Sequence, residues 1–152
     1  MVMIMDIFEK AIKKQIKLRY LATALRDKSY PDYFLKTHKK VLLKPVNKRL
    51  STYGDTILNW ACVKLFISKP KSGPTVAKYE SNKFLVEVVA KYYDLDRYIL
   101  KSQKKRSNNY IYNKRNKYLA DAIEAIIAVI FINRNDINEI VNLLKFWTSL
   151  CP

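Results

Sequence analysis

From Lys117 to Phe131 the chain carries neither Gly nor Pro, and after Ala120 every residue but Asp121 and Glu124 is apolar. A segment apolar on nearly all sides is expected as a buried helix. Its two carboxylates, three residues apart, project from one side. Charges so placed are costly unless paired, hydrogen-bonded or bound to a cation. A second stretch, Leu50 to Phe66, places apolar or small residues at 50, 53, 54, 57, 58, 61, 62, 65 and 66, which predicts a helix of about four turns. Asp55 lies beside this stripe, with Ser51 on the same side four residues earlier. Gly54 inside a helix costs about 1 kcal/mol relative to Ala. Its missing side chain is expected to admit a close crossing by the helix rich in Ala at 120 to 128, bringing Asp55, Asp121 and Glu124 together.

The remaining pattern is also helical. Ile7 to Leu25 repeats apolar residues at helical spacing with Lys10, Lys13, Lys14 and Lys17 outside. Pro31 is expected to end the element begun at Asp27 to Tyr30, and Asp32 to Leu43 is helical or irregular before Pro45. Ser68 to Pro74 is a turn segment, followed by helix-length stretches at Thr75 to Tyr92 and Leu95 to Leu100. Phe84, Leu85, Val88, Val89 and Tyr92 are core candidates there. Asp136 starts a last amphipathic helix with Ile137, Ile140, Val141, Leu144 and Trp147 turned inward. No strand-like alternation and no internal repeat is present, so the expected fold is all-α, one domain over 1–152.

Composition narrows the function classes. Two cysteines, Cys62 and Cys151, give neither a disulfide framework nor zinc spacing, and Cys62 is expected in the core. His38, the one histidine, is expected on the surface. No apolar run approaches the roughly 18 to 20 residues that span a bilayer, and Met1 to Met5 resembles neither a secretory signal nor a transit peptide. The cytoplasm is the expected compartment. The net charge of +16 makes a polyanion the default partner. Phe34 to Gly54 contains no acid but holds six cations, Lys48 and Arg49 among them. Lys101 to Lys117 is acid-free too, with Lys104, Lys105, Arg106, Lys114, Arg115 and Lys117 around Tyr110 and Tyr112. It is a solvated loop structurally and an RNA-facing loop functionally.

These residues resemble a known family. Asn47-Lys48-Arg49-Leu50-Ser51-Thr52-Tyr53-Gly54-Asp55-Thr56-Ile57-Leu58 is similar to the signature helix of ribonuclease III, usually N-E-R-L-E-F-L-G-D-A-V-L. Leu119 to Ile132 resembles that family's second acidic helix, L-A-D-A-F-E-A-L-I-G-A-I-Y-L. Two weaker matches fall in the same order: Leu21 to Tyr30 against A-L-T-H-R-S-Y, and Ser81 to Leu85 with Leu95 to Leu100 against S-N-K-T-L and L-G-D-Y-L-L. The resemblance covers about residues 10 to 147.

The resemblance implies a helical, Mg²⁺-dependent endoribonuclease acting on double-stranded or structured RNA, in RNA processing such as rRNA maturation, with Mn²⁺ as a substitute ion. Asp55, Asp121 and Glu124 match its catalytic and metal-site acids; Lys48, Arg49, Lys104, Lys105, Arg106, Lys114, Arg115 and Lys117 are the RNA-binding candidates. It also implies a homodimer, or a heterodimer with a related chain, in which each subunit cuts one strand. This sequence departs from the pattern at Ser51 and Lys48, where the family has glutamates. Mini-ribonuclease III proteins, which also lack a separate RNA-binding domain, tolerate a small residue at the position matching Ser51. Other ribonuclease III-like proteins, in mitochondrial ribosomes and RNA-editing complexes, have lost acids and serve as RNA-binding or dimerising scaffolds; an organellar ribosome would then be the location. The bland alternative for the three acids is a set of buried ion pairs with Arg49 or Lys117.

Overall fold

The computed structural model describes residues 5–103, 105 and 109–151. The apolar Lys117 segment forms α8 (Lys117–Arg134), with every residue from Tyr118 to Ile130 except Asp121 buried. Around it pack α1 (Ile7–Ile12), α2 (Leu21–Ala24), α4 (Lys48–Phe66), α9 (Ile137–Ser149) and a helical run through Leu85–Ala90. Two further helices, α3 (Tyr30–His38) and α5 (Ser72–Tyr79), bury no residue fully. Among the described residues the only β pairing is one isolated parallel bridge, Arg26 to Leu100. The fold is all-α, as the periodicity predicts. Among the described residues, no helix is long and apolar enough to cross a membrane.

Several element boundaries differ from those the sequence predicts, each for a local reason. Ile7 to Leu25 is not one helix. α1 closes at Lys13, and Lys14 turns left-handed with φ 56°. The Gln15 and Lys14 amides then donate to the Lys10 and Ala11 carbonyls, a Schellman stop built without glycine. Asn133 of α8 clamps the connecting segment, accepting from the Arg19 amide at 2.8 Å and donating to its carbonyl at 3.0 Å. Pro31 does not end an element but opens α3, because a first-turn proline forfeits an amide that the helix leaves unpaired anyway.

The stretch expected as one helix from Thr75 breaks at Glu80. Ser81 then caps a new start, its hydroxyl accepting from the Phe84 amide. Asn82–Phe84 is α6, Leu85–Ala90 winds as a π-helix, and Lys91–Tyr93 is α7. A π turn holds extra residues and rotates the helix beyond it. Phe84, Leu85 and Val89 are therefore buried as expected, but Val88 is half-buried, Tyr92 is exposed, and Tyr93 takes the inward place. The Tyr93 hydroxyl accepts from Trp147 Nε1 at 2.9 Å and donates to Asp6 Oδ2 at 2.5 Å, while Asp6 Oδ1 caps α1. One polar chain thus ties α1, α7 and α9. Leu95–Tyr98 is only a 3₁₀ turn leading to the Leu100 bridge. The five inward residues expected on α9 are all buried, and Asp136 caps it.

Candidate active site at the crossing of two helices

Gly54 lies directly on the backbone of α8. A Cβ built there would fall 1.7 Å from the Glu124 carbonyl oxygen and 2.9 Å from its Cα, so only glycine permits this approach. Leu50, Leu58, Ala61 and Cys62 bury the same face of α4. The contact sets Asp55, one residue on from Gly54, beside Glu124.

Glu124 is buried at 7% exposure, while Asp55 is exposed and Asp121 half-buried. Burial pushes the Glu124 carboxyl up to about 9; its hydrogen bond with the Asp55 side chain and the charges of Asp55 and Asp121 add to this, and Lys117 opposes it. A buried carboxyl beside another carboxylate keeps its proton because the two cannot both ionise cheaply. Asp121 is held differently, by Lys117 Nζ at 3.4 Å one turn earlier on α8. The expected ion pair with Lys117 thus forms, but to Asp121, and Arg49 makes none among the described residues.

The sign of the resulting pH effect is fixed. Glu124 titrates above its ordinary 4.5, so the stability its proton contributes is complete below about 4.5 and is lost as pH rises through about 9. In EDTA, the thermal midpoint of the wild type is expected to fall relative to that of Glu124→Gln between about pH 5 and about pH 9. A difference between the two proteins that stays constant across that window contradicts the assignment.

Beside the pair opens a cleft of about 230 Å³ that reaches Ser51, Lys48, Lys117 and Asp121. Its far wall comes from Asp27 and Lys28, residues that no sequence pattern marked as functional, although they fall within the match to A-L-T-H-R-S-Y. Backbone stitching carries them there. The Leu100 amide donates to Leu25, the Asp27 amide to Leu100, and the Asn47 amide to Arg26, at 2.8 to 2.9 Å. Arg26 Nη1 also reaches the Pro45 carbonyl at 2.6 Å. Asp27 is 2% exposed and accepts from Ser29 N and Oγ and from Lys105 Nζ. All three contacts fall on one oxygen, Oδ2.

The segment 48–135 matches the family model for the ribonuclease III domain. The chain belongs to the ribonuclease III family. That is a family of double-stranded RNA endoribonucleases, generally metal-dependent and typically dimeric. No curated protein matches the chain.

Of the RNA-binding candidates, Lys48 and Lys117 line the cleft and Lys105 reaches it through Asp27. Arg49 is exposed on α4, and Lys114 and Arg115 are exposed in the 3₁₀ turn before α8. Lys104 and Arg106 lie outside the described residues.

The donor set suits a hard cation in kind, being all carboxylate oxygen. Among the described residues no three of His, Cys, Asp and Glu stand close enough to clasp one ion. The contacting pair, Asp55 and Glu124, matches the habit of Mg²⁺, which takes one or two carboxylates and keeps water and substrate phosphate for the rest.

Proposed function

We propose that this ribonuclease III hydrolyses phosphodiester bonds of double-stranded RNA with Mg²⁺, or Mn²⁺ in its place, and serves RNA processing such as rRNA maturation. Asp55 and Glu124 would hold the ion, with Asp121 as the third acid of the site. What carries the reading is the Asp55–Glu124 pair. Two carboxylates pressed together at a glycine crossing, one of them buried, weaken a fold and suit a cation site. A bound Mg²⁺ supplies Lewis acidity to the phosphate oxygens and to water. The chain's own residues do the rest. Gly54 fixes the pair, Lys117 holds Asp121, Glu124 surrenders its proton, and the exposed lysines and arginines attract the duplex through its phosphates, as proteins that read RNA by shape do.

A second reading, an RNA-binding scaffold, draws support from Ser51, from the Lys117–Asp121 ion pair, and from the lack of a three-ligand group among the described residues. Incubation of a labelled RNA duplex with the protein, with Mg²⁺ and then with EDTA, separates the two. Cutting that stops in EDTA is expected. Salt-sensitive binding without cutting would replace the nuclease with the scaffold.

The partner beside RNA is a second copy of the chain. Tyr53, Trp60 and Val63 of α4 and Ile67 at its C-cap form an outward stripe, 58, 50, 36 and 68% exposed. Tyr53, counted with the inward stripe by sequence spacing, belongs to this outer one. Trp60 stands edge-on to Phe131 of α8 at 6.0 Å, so the stripe borders α8. Sedimentation is expected to give a dimer for the wild type and a monomer for Trp60→Glu at micromolar concentration. A monomeric wild type would contradict the homodimer and turn attention to a related partner chain.

A further inference from the structure

We infer that the cleft beside the acidic pair is a phosphate-binding pocket, assembled from Lys28, Lys48 and Ser51. The inference rests on the RNA reading above and gives one part of the site its ligand.

The charge count decides it. Four lysines meet at or behind this cleft: Lys28, Lys48, Lys105 and Lys117. Two aspartates meet them, and each is already ion-paired, Asp27 with Lys105 at 3.3 Å and Asp121 with Lys117 at 3.4 Å. Lys28 and Lys48 have no acidic partner among the described residues. They come from different segments, one before α3 and one at the start of α4, and face the same space. Ser51 also lines the cleft, and no hydrogen bond of its side chain is formed among the described residues. The Thr52 hydroxyl, by contrast, is spent on the Lys48 carbonyl at 3.2 Å.

Two lysines without an acidic partner among the described residues and a serine hydroxyl, all lining one concavity, suit an oxyanion with several acceptor oxygens. At Lys48 and Ser51, where the family pattern has glutamates, this chain has replaced two acids by a cation and a donor. The pocket therefore favours an anion where the pattern would repel one. The ammonium as a compact point charge is a common phosphate ligand. The chemistry is that of a phosphate group, whether an internal phosphodiester or a terminal monoester of the RNA.

The test begins with inorganic phosphate in EDTA, titrated against the isotope-labelled protein at constant ionic strength with chloride as reference. Phosphate is expected to move the amide resonances of residues 27–29 and 48–52 saturably and beyond the chloride effect. The double variant Lys28→Gln/Lys48→Gln is expected to weaken that binding about tenfold or more. Both lysines are exposed, so an unchanged amide spectrum elsewhere confirms that the variant is folded. Shifts no larger than with chloride, or equal shifts in the double variant, would overturn the pocket. A second arm compares short duplexes with 5′-phosphate and 5′-hydroxyl ends. Tighter binding of the phosphorylated duplex, lost in the double variant, assigns a terminal phosphate. An equal loss for both duplexes assigns an internal one, and no loss for either overturns the inference. Both readouts are independent of cleavage: a protein that binds phosphate but never cuts RNA keeps the pocket and loses the nuclease, and the reverse result does the opposite.

Discussion

Gly54→Ala is expected to lower stability by about 3 kcal/mol or more, because the new methyl meets backbone rather than a side chain that can swing away. Overpacking a core usually costs about 1 to 3 kcal/mol, sometimes more. Here the obstacle is the Glu124 carbonyl, 1.7 Å from the built Cβ, so α4 and α8 must part along the contact that buries Leu50, Leu58, Ala61 and Cys62. Alanine's better helix propensity returns only about 1 kcal/mol, and the clash wins. At about 2 to 4 °C per kcal/mol for a chain of this size, the thermal midpoint falls by about 10 °C. Gly73, the other glycine, is the control. A Cβ there meets nothing within 4 Å, and Gly73→Ala is expected to be neutral or slightly stabilising. Equal midpoints for Gly54→Ala and the wild type would contradict the close crossing.

Glu124→Ala is expected to have the largest effect on activity. It removes one of the two contacting carboxylates and leaves Asp55 alone with Asp121, which Lys117 already holds. Loss of roughly three orders of magnitude in cleavage rate, about 4 kcal/mol of barrier, is the expected size for an acid that helps hold a catalytic cation. Duplex binding is expected to survive, since exposed Lys and Arg side chains are proposed to supply it and the deleted group is buried. In metal-free buffer the same variant is expected to be at least as stable as the wild type at high pH, because the like-charge pair is gone. A catalytic loss no larger than the accompanying loss of binding would reduce Glu124 to a structural residue.

What the sequence disclosed depended on whether the deciding contact was local. Gly54 was legible as a crossing point because a glycine in the middle of an apolar helix has few other uses, and α8 was legible because its apolar run leaves no solvent face. Tyr93 was not, since a π turn upstream rotates the helix by a residue and no composition cue marks it. The stop after α1 was equally hidden: Lys14 takes a left-handed conformation usually signalled by Gly, and the clamp from Asn133 lies 114 residues from Arg19. At the site, Asp55, Asp121 and Glu124 stood out as charges in apolar surroundings. Their division into a contacting pair and an ion-paired third acid depends on Lys117 and on helix geometry. Asp27 and Lys28 reach the cleft because backbone bonds tie Asp27 to Leu100 and the neighbouring Arg26 to Asn47, partners distant in sequence.

The most direct test of the central claim is single-turnover cleavage of a labelled RNA duplex with Mg²⁺ by wild type and Glu124→Ala, with binding measured on the same samples in EDTA. The Asp55–Glu124 centre predicts cutting by the wild type, near loss of cutting in the variant and equal binding by both. Undiminished cutting by the variant would contradict it.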